Sequence, residues 1–184
     1  MDSLRSIASQ VAPYIYIALL IAVVVLIKHY LEPNGEEEAH LYVAGPIMVL
    51  DGDTLKAGER EYRIFGIDAP EFSQACSEPS GQLWNCGRAA RARLRALVEG
   101  GALQCLPRAR DRFGRIVATC SVSNAPDLGE VLVREGFAIN FGGFAEGPYI
   151  DAETEARVAK RGIWRGAFDR PADWRRAHPR LRTD

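Results

Sequence analysis

The chain has 184 residues, enough for one domain with appendages, and a formal net charge of −1 at pH 7. Residues 1–39 are acidic, whereas the remainder carries a small basic excess that is concentrated from Arg157 onward. This balance argues against tight, purely electrostatic binding of nucleic acid and predicts at most a modest, salt-sensitive affinity.

The N-terminal part of the sequence predicts a membrane anchor. Residues 1–10 form a short tail, and residues 11–27 contain no charged side chain. As a helix the uncharged stretch is about 25 Å long, just enough to cross a bilayer. We therefore predict a transmembrane anchor over residues 11–30, in contact with the lipid bilayer through residues 11–27. A cleaved signal peptide and a buried core helix are the alternatives, although no small-residue cleavage site follows the apolar run.

A charged, turn-rich linker over residues 31–39 leads into a domain that we predict at residues 40–168. Strand patterns lie at residues 42–50, 53–57, 60–67, 102–106 and 115–121, and helical patterns at residues 87–99, 128–135 and 151–160. Asp127 and Asp151 are the predicted caps of the second and third helices. Residues 169–184 form a basic C-terminal extension.

Carboxylates and an arginine cluster in the first half of this domain. Asp53 belongs to an Asp-Gly-Asp-Thr turn, and Asp68 and Glu71 belong to an Asp-Ala-Pro-Glu bend, with Arg63 between the two. Carboxylates collect where a hard cation or a water must be handled, and an arginine fork matches a phosphate. Taken singly, however, such a turn is usually solvated and such an arginine is usually a surface charge.

The four cysteines fall into two local pairs. Cys76 and Cys86 bracket a loop rich in Ser, Pro and Gly. Cys105 and Cys120 flank the turn at residues 111–114 symmetrically, so they would face each other in a hairpin centred there, within disulfide range. We predict both local disulfides and hence an extracytoplasmic domain, periplasmic or at the cell surface. Four reduced thiols in a cytoplasmic domain are the alternative, and the absence of a Cys-x-x-Cys spacing argues against zinc.

Three motifs occur in a characteristic order: Asp-Gly-Asp-Thr, an arginine five residues before Asp-Ala-Pro-Glu, and Asp-Arg-Phe-Gly-Arg, which ends in Arg115. In these motifs the chain resembles the staphylococcal-nuclease-like (thermonuclease) family, and the resemblance covers residues 40–168. It implies an α+β fold built on a five-stranded OB-type β-barrel with about three helices. In this chain the barrel would be preceded by one transmembrane helix.

The resemblance also implies an activity and the roles of individual residues. The residues that match the family's site are Asp53, Asp68 and Ala69 for the metal, and Arg63, Glu71 and Arg115 for catalysis. The two aspartates and the alanine carbonyl would bind Ca²⁺, the glutamate would be the general base, and the arginines would clamp the scissile phosphate. The reaction would be calcium-dependent hydrolysis of DNA or RNA that leaves 3′-phosphate ends.

The substrate-binding positions depart from the family pattern. Gly142 stands where the family has a stacking tyrosine, so the predicted substrate contacts are Arg112, Phe113 and Phe144. The lost tyrosine leaves open a non-catalytic module that binds nucleic acid or another anionic polymer. The predicted location also permits a role in polysaccharide export or assembly. The choice between DNA and RNA stays open, and nothing in the sequence indicates a protein partner.

Overall fold

The computed structural model describes residues 16–27, 41–43, 45–142 and 146–179, and the chain divides into two compact units, Met1–Ala39 and His40–Asp184. In the first unit the described residues, 16–27, are helical and are called α1. No helix within the described residues is long and apolar enough to cross a membrane, so the predicted transmembrane helix is wrong for this part of the chain. The tail, both ends of the predicted anchor and the linker lie outside the described residues.

The second unit is built around a mixed β-sheet. Its strands are β1 (Leu41–Tyr42), β2 (Ile47–Val49), β3 (Thr54–Ala57), β4 (Arg60–Ile64), β5 (Ile67–Asp68), β6 (Cys76–Ser77), β7 (Leu83–Trp84), β8 (Gln104–Arg110), β9 (Ile116–Ser121) and β10 (Ile139–Asn140). Six strands form one sheet in the order β1-β8-β9-β4-β3-β2, in which only β4 and β9 run parallel. β5 pairs with β10 and β6 with β7 in separate two-stranded sheets.

This sheet is open, and the predicted closed five-stranded barrel is therefore wrong. The run predicted as one strand over residues 42–50 is split into β1, which pairs with β8, and β2, which pairs with β3 at the opposite edge. Gly45, at φ 99°, and Pro46 lie between them. A glycine in the left-handed region and a residue without an N–H donor interrupt a strand. The fold is thus α+β with an open mixed sheet, because the strand that would have joined the two edges is broken.

Four helices complete the described part of the second unit. They are α2 (Cys86–Val98), α3 (Leu128–Arg134), α4 (Ile150–Val158) and α5 (Pro171–Ala177), with a 3-10 helix at Gly162–Arg165. Asp127 caps α3 as predicted, because its carboxylate accepts hydrogen bonds from the N–H groups of Gly129 and Glu130. Asp151 does not cap α4, which begins one residue earlier with Tyr149 at the N-cap. α5 lies in the segment that the sequence analysis interpreted as a basic extension.

Apolar side chains from the sheet and from the inner faces of α2 and α3 form the main core. Leu55 and Ile64 come from the sheet, Leu94 from α2 and Leu132 from α3, and all four are fully buried. Burial of one such side chain contributes about 1.5–3 kcal/mol. The core therefore fixes β3, β4 and α2 relative to one another, and these are the elements that border the candidate site.

Both predicted disulfides are present. Cys105 and Cys120 are directly opposite each other in β8 and β9, and their bond lies inside the sheet. The bond between Cys76 and Cys86 ties β6 to the first residue of α2. Since the chain has four cysteines, these two bonds use all of them. The disulfide between Cys76 and Cys86 closes the segment that follows the Asp-Ala-Pro-Glu bend.

Candidate active site

Consecutive strands bring three of the predicted site residues together. Asp53 immediately precedes β3, Arg63 lies in β4, and Asp68 ends β5. β3 and β4 form a hairpin in which Thr54 is opposite Arg63, and the N–H of Ile64 donates to the carbonyl of Asp53 at 2.9 Å. The hairpin register therefore sets the distance between the first aspartate and the arginine.

Arg63 links the two aspartates. Its Nη1 donates to Asp53 Oδ1 at 2.9 Å, and its Nη2 donates to Asp68 Oδ1 at 3.0 Å. Burial lowers the pKa of Arg63, but the two carboxylates outweigh burial and the net shift is upward. The guanidinium thus stays charged, and charge-assisted hydrogen bonds in a dry environment hold the three groups in place.

Asp53 is bound through both carboxylate oxygens. Oδ1 also accepts the Thr54 hydroxyl at 2.8 Å, and Oδ2 accepts the N–H of Ala69 at 3.1 Å. Burial raises the pKa of Asp53. The Arg63 guanidinium and the Ala69 N–H lower this pKa and the Asp68 carboxylate raises it, so the net shift is upward. The bond to Ala69 also brings the backbone of this predicted ligand residue next to the aspartate.

Glu71 is positioned through its backbone, and the residue is 8% exposed. Its N–H donates to Gln74 Oε1 at 3.2 Å, and its carbonyl accepts the N–H of Gln74 at 2.7 Å. Gly87, at the start of α2, packs so closely that a Cβ built there would lie 1.7 Å from the Glu71 carbonyl oxygen. A buried glutamine on one side and a helix backbone on the other therefore fix the predicted general base.

A second arginine enters the site from α5. Arg175 Nη1 donates to Asp68 Oδ1 at 3.0 Å and to Glu71 Oε1 at 2.9 Å, and its Nη2 donates to Asp68 Oδ2 at 3.1 Å. This residue was not predicted from the sequence, because no spacing relates it to Asp68. The one sequence signal was the surplus of basic residues after Arg157.

The oxygen ligands that Asp53, Asp68 and the Ala69 carbonyl offer are of the kind that calcium prefers. Two buried carboxylates and an adjacent backbone carbonyl are hard oxygen ligands, which Ca²⁺ accepts in loose geometry. Within the described parts of the chain, no three Asp, Glu, His or Cys side chains are grouped so that they could hold a metal ion by themselves. The oxygens of Asp68 that an ion would use are bound to the guanidinium groups of Arg63 and Arg175.

The other predicted clamp, Arg115, lies in the β8–β9 turn. Its Nε donates to Asp111 Oδ2 at 2.7 Å, and its guanidinium carbon lies 5.5 Å from the centre of the Phe113 ring. The Arg112 guanidinium carbon lies 4.8 Å from the same ring, which is exposed. The contacts of Arg115 thus lie within its own turn, whereas Arg63 joins the acidic group. Phe144, the remaining predicted substrate contact, lies outside the described residues.

A second exposed aromatic side chain directly follows the predicted base. The guanidinium carbons of Arg88 and Arg91 lie 5.2 and 5.1 Å from the centre of the Phe72 ring. Arg91 is further fixed because its Nε donates to the carbonyl of Val49 at 2.9 Å. Two arginines of α2 therefore flank an aromatic ring that directly follows Glu71 in the chain.

Comparison with known proteins gives a consistent family. The model of the staphylococcal nuclease homologue family matches residues 61–166. The succinoglycan biosynthesis protein ExoI of Rhizobium meliloti (strain 1021) is 31% identical over 124 residues, which are 67% of this chain and 65% of that protein. An uncharacterized endonuclease of Escherichia coli is 29% identical over 126 residues, 66% of this chain and 76% of that protein. The probable staphylococcal-like nuclease CAN2 of Oryza sativa subsp. japonica is 30% identical over 140 residues, 75% of this chain and 35% of that protein.

The matches cover part of this chain and part of some relatives. The chain spans less than two thirds of the Rhizobium and rice proteins, so it corresponds to part of each. The segment matched by the family model includes Arg63, Glu71 and Arg115, whereas Asp53 and Arg175 lie on either side of it. Residues 61–166 are more than half of the 184 residues, and the chain therefore belongs to the staphylococcal nuclease homologue family.

Proposed function

We propose that the chain is a calcium-dependent nuclease that hydrolyses phosphodiester bonds of DNA or RNA and leaves 3′-phosphate ends. The observation that carries this proposal is the group of three buried carboxylates, Asp53, Asp68 and Glu71, joined by hydrogen bonds through the half-buried Arg63 and through Arg175. Carboxylates and guanidinium groups in one site suit phosphoryl transfer, in which negative charge grows on the phosphate oxygens. Relatives named as nucleases or endonucleases support the same reaction class.

Glu71 is the proposed general base. Its backbone is fixed by Gln74 and by the close approach of Gly87, so its carboxylate starts from a defined position. The carboxylate lies beside Asp68, since both accept hydrogen bonds from Nη1 of Arg175. A carboxylate placed there can take the proton of an attacking water, an effect that contributes about 10²- to 10⁴-fold to a rate.

Asp53, Asp68 and the carbonyl of Ala69 are the proposed calcium ligands. When bound, the ion supplies positive charge that polarises a phosphate oxygen and a water. The burial that raises the pKa of Asp53 also removes competing solvent, so a cation close to this carboxylate would be bound more strongly than at the surface.

Arg63 and Arg115 are the proposed phosphate clamps. Each is held by a neighbouring carboxylate, so its guanidinium loses little rotamer freedom when a substrate binds. Phe72 and Phe113, both flanked by arginines, offer faces on which bases can stack. Stacking of this kind contributes about 1–3 kcal/mol per base and tolerates any sequence.

The direct test of this function is cleavage by the full chain, purified with its disulfides intact. Single-stranded and duplex DNA and RNA would be incubated with calcium, with magnesium or with a chelator, and the product ends would be analysed for 3′-phosphate. We expect cleavage that requires calcium and leaves 3′-phosphate ends. A folded, oxidised protein that cleaves none of these substrates would contradict the proposal.

We also propose that the domain works outside the cytoplasm. The supporting observation is that all four cysteines are paired in disulfides, which persist in oxidising compartments. Alkylation under denaturing conditions of protein taken directly from cells should therefore label no thiol. Labelling of two or four cysteines in the absence of a reductant would place the domain in a reducing compartment instead.

A second candidate function is the binding of an anionic polysaccharide without cleavage of nucleic acid. It is favoured by the name of the Rhizobium relative, which assigns that protein to succinoglycan biosynthesis. The arginines around Phe72 and Phe113 would then contact the acidic groups of the polymer. Saturable binding of an anionic polysaccharide by a chain that cleaves neither DNA nor RNA would favour this candidate over the nuclease.

A further inference from the structure

We propose that Arg175 is a positioning residue that holds Asp68 and Glu71 together and that calcium displaces when it binds Asp68 through Oδ1 or through both oxygens, so that α5 acts as a latch on the site. This inference rests on the proposed calcium-dependent function. Arg175 and α5 lie beyond residues 61–166, the segment that matches the family. The latch is therefore a feature of the C-terminal part of this chain rather than of the matched segment.

The carboxylate of Asp68 already accepts three hydrogen bonds from guanidinium groups. Arg175 binds both oxygens of this carboxylate as a fork, at 3.0 Å to Oδ1 and 3.1 Å to Oδ2. Oδ1 also accepts Nη2 of Arg63 at 3.0 Å. An ionised carboxylate oxygen offers about two lone-pair sites, so the hydrogen bonds already use those of Oδ1. An ion that binds Asp68 through this oxygen, or through both, must displace a guanidinium group.

The two arginines differ in how easily they can leave. The Arg63 side chain, in β4, is 18% exposed and binds both aspartates, whereas the Arg175 side chain is 39% exposed. Of the seven residues of α5, all of them described, Pro171 alone is buried. Apart from Pro171 and the half-buried Trp174, separation of α5 from the site exposes no large apolar side chain, and local openings of this kind cost less than global unfolding. Arg175 is the arginine that a calcium ion displaces.

The formal charges favour the same exchange. Asp53, Asp68 and Glu71 carry three negative charges against the two positive charges of Arg63 and Arg175, which are ion-paired to them. A divalent cation added to this group would be repelled by the guanidinium groups that already neutralise the carboxylates. Departure of one arginine relieves this repulsion, so electrostatics couples calcium entry to release of Arg175.

A buried glutamine links the general base to the start of α5. Gln74 Nε2 donates to the carbonyl of Asp169 at 2.7 Å, and Gln74 Oε1 accepts the N–H of Glu71 at 3.2 Å. This link holds the chain just before Pro171, while Arg175 lies one helical turn further on. The tether thus allows the end of the helix to move away without loss of its attachment near Glu71.

The competition between calcium and Arg175 can be measured through the calcium affinity. If calcium and Arg175 compete for Asp68, removal of the arginine must raise the calcium affinity. The increase equals the factor by which the bound arginine weakens calcium binding in the wild type. An arginine with a purely structural role predicts the opposite, because a less ordered site binds calcium more weakly. Calcium affinity and the mobility of α5 therefore distinguish a latch from a structural ion pair.

The experiment uses the full oxidised chain and four proteins: the wild type, Arg175→Ala, Arg175→Lys and the control Arg176→Ala. Arg176 is on the same helix, its side chain is 78% exposed, and it pairs with Asp173. Calcium binding would be measured by titration calorimetry, and opening of residues 170–178 by amide hydrogen exchange with and without calcium. The lysine variant keeps the charge but not the fork, and it remains informative if the alanine variant does not fold.

We expect Arg175→Ala to bind calcium about tenfold more tightly than the wild type, Arg175→Lys to be intermediate, and Arg176→Ala to be unchanged. Calcium should increase amide exchange in α5 of the wild type, and Arg175→Ala should show the increased exchange without calcium. Wild type that binds calcium, with unchanged or weaker binding in both Arg175 variants, would overturn the latch alone. Absence of calcium binding in all four proteins would overturn the proposed calcium site and the latch with it.

Discussion

At the scale of single residues, Gly87 determines where Glu71 can lie. The first turn of α2 approaches the Glu71 carbonyl so closely that no side chain fits between them. Gly52 plays a similar part on the other side, since a Cβ there would lie 2.8 Å from the Cβ atoms of Ala69 and Ala90. Two glycines thus allow the bend that carries Asp68, Ala69 and Glu71, the proposed metal ligands and base, to pack against α2.

Substitution of Gly87 tests this packing. In Gly87→Ala the new Cβ would lie 1.7 Å from the Glu71 carbonyl oxygen, so the bend must move. We expect the free energy of unfolding to fall by about 1–3 kcal/mol and cleavage to slow at temperatures where the protein is folded. Gly101→Ala is the control, because its Cβ would meet only side-chain atoms of Val122, at 3.2 Å and beyond. Equal cleavage rates in the two variants, measured below both melting temperatures, would contradict the role of Gly87.

Glu153 gives a pH-dependent prediction. This residue of α4 is buried, and its Oε1 accepts the N–H of Asn140 at 3.1 Å. Burial raises the pKa of Glu153 above its ordinary value of 4.5, and the Asn140 N–H, Arg170 and Arg157 offset only part of the shift. Since the folded-state pKa is the higher one, the folded protein loses stability as the pH rises through that pKa.

Glu153→Gln should therefore be more stable than the wild type at pH 7, because the amide oxygen can still accept from Asn140 and no buried charge remains. The gain should disappear below about pH 4, where the glutamate is protonated in both the folded and the unfolded state. Thermal denaturation at the two pH values measures this difference, with the exposed Glu59→Gln as control. A lower melting temperature for Glu153→Gln at pH 7 would contradict the assignment.

At this scale the sequence predicted local groupings better than distant ones. Asp53 and Arg63 were predictable as neighbours, since a short hairpin places Arg63 opposite Thr54, the residue that follows Asp53. Arg175 was not, because it reaches Asp68 and Glu71 from a helix more than a hundred residues away, as the sequence separations of 107 and 104 show. Tertiary packing alone creates that contact, and no local spacing encodes it.

At the scale of elements, the disulfide between Cys76 and Cys86 supports the site. Cys86 is the first residue of α2 and precedes Gly87, which packs on Glu71. The bond therefore fixes the start of the helix against the segment that follows Glu71. The disulfide between Cys105 and Cys120 instead fastens β8 to β9 within the sheet.

The two disulfides form a matched pair for mutation. From their sequence separations of 10 and 15, loop-closure entropy predicts a loss of about 3 kcal/mol for each double alanine variant. Below their melting temperatures, we expect Cys76→Ala/Cys86→Ala to lose much of the cleavage rate and Cys105→Ala/Cys120→Ala to retain it. Thermal denaturation and cleavage rates measure the two effects. Greater loss of activity in the second variant would show that the hairpin, rather than the start of α2, orders the site.

The elements also show where prediction from the sequence failed. The positions of α2, α3 and α4 were predictable from apolar periodicity and from the Asp127 cap. The closed barrel was not correct, because Gly45 and Pro46 break the strand that would have closed it. α5 was missed since its short, arginine-rich sequence has little apolar periodicity, and one buried residue does not make a pattern.

At the scale of the whole molecule, local clusters rather than net charge would attract nucleic acid. The net charge is −1, yet Arg88 and Arg91 surround Phe72, and Arg112 and Arg115 surround Phe113. Such clusters neutralise a few phosphates each while the rest of the surface contributes little.

Binding of duplex DNA should therefore have a limited salt dependence. For about two to four phosphate contacts, the logarithm of the binding constant should fall with the logarithm of the salt concentration with a slope of roughly −2 to −4. Fluorescence anisotropy with Glu71→Gln, in the presence of calcium, measures this slope without cleavage of the probe. A slope near zero would show that the arginine clusters do not bind the backbone.

The central claim, that Glu71 in the group of carboxylates and arginines performs the hydrolysis, is tested most directly by the calcium-dependent cleavage rate of Glu71→Gln. The substitution keeps the size of the side chain but removes its ability to take a proton from water. The control is Glu59→Gln, an exposed residue of the β3–β4 hairpin. We predict that Glu71→Gln cleaves about 10²- to 10⁴-fold more slowly than the wild type, while it still binds DNA and the control keeps full activity. A Glu71→Gln protein that cleaves at the wild-type rate would contradict the account.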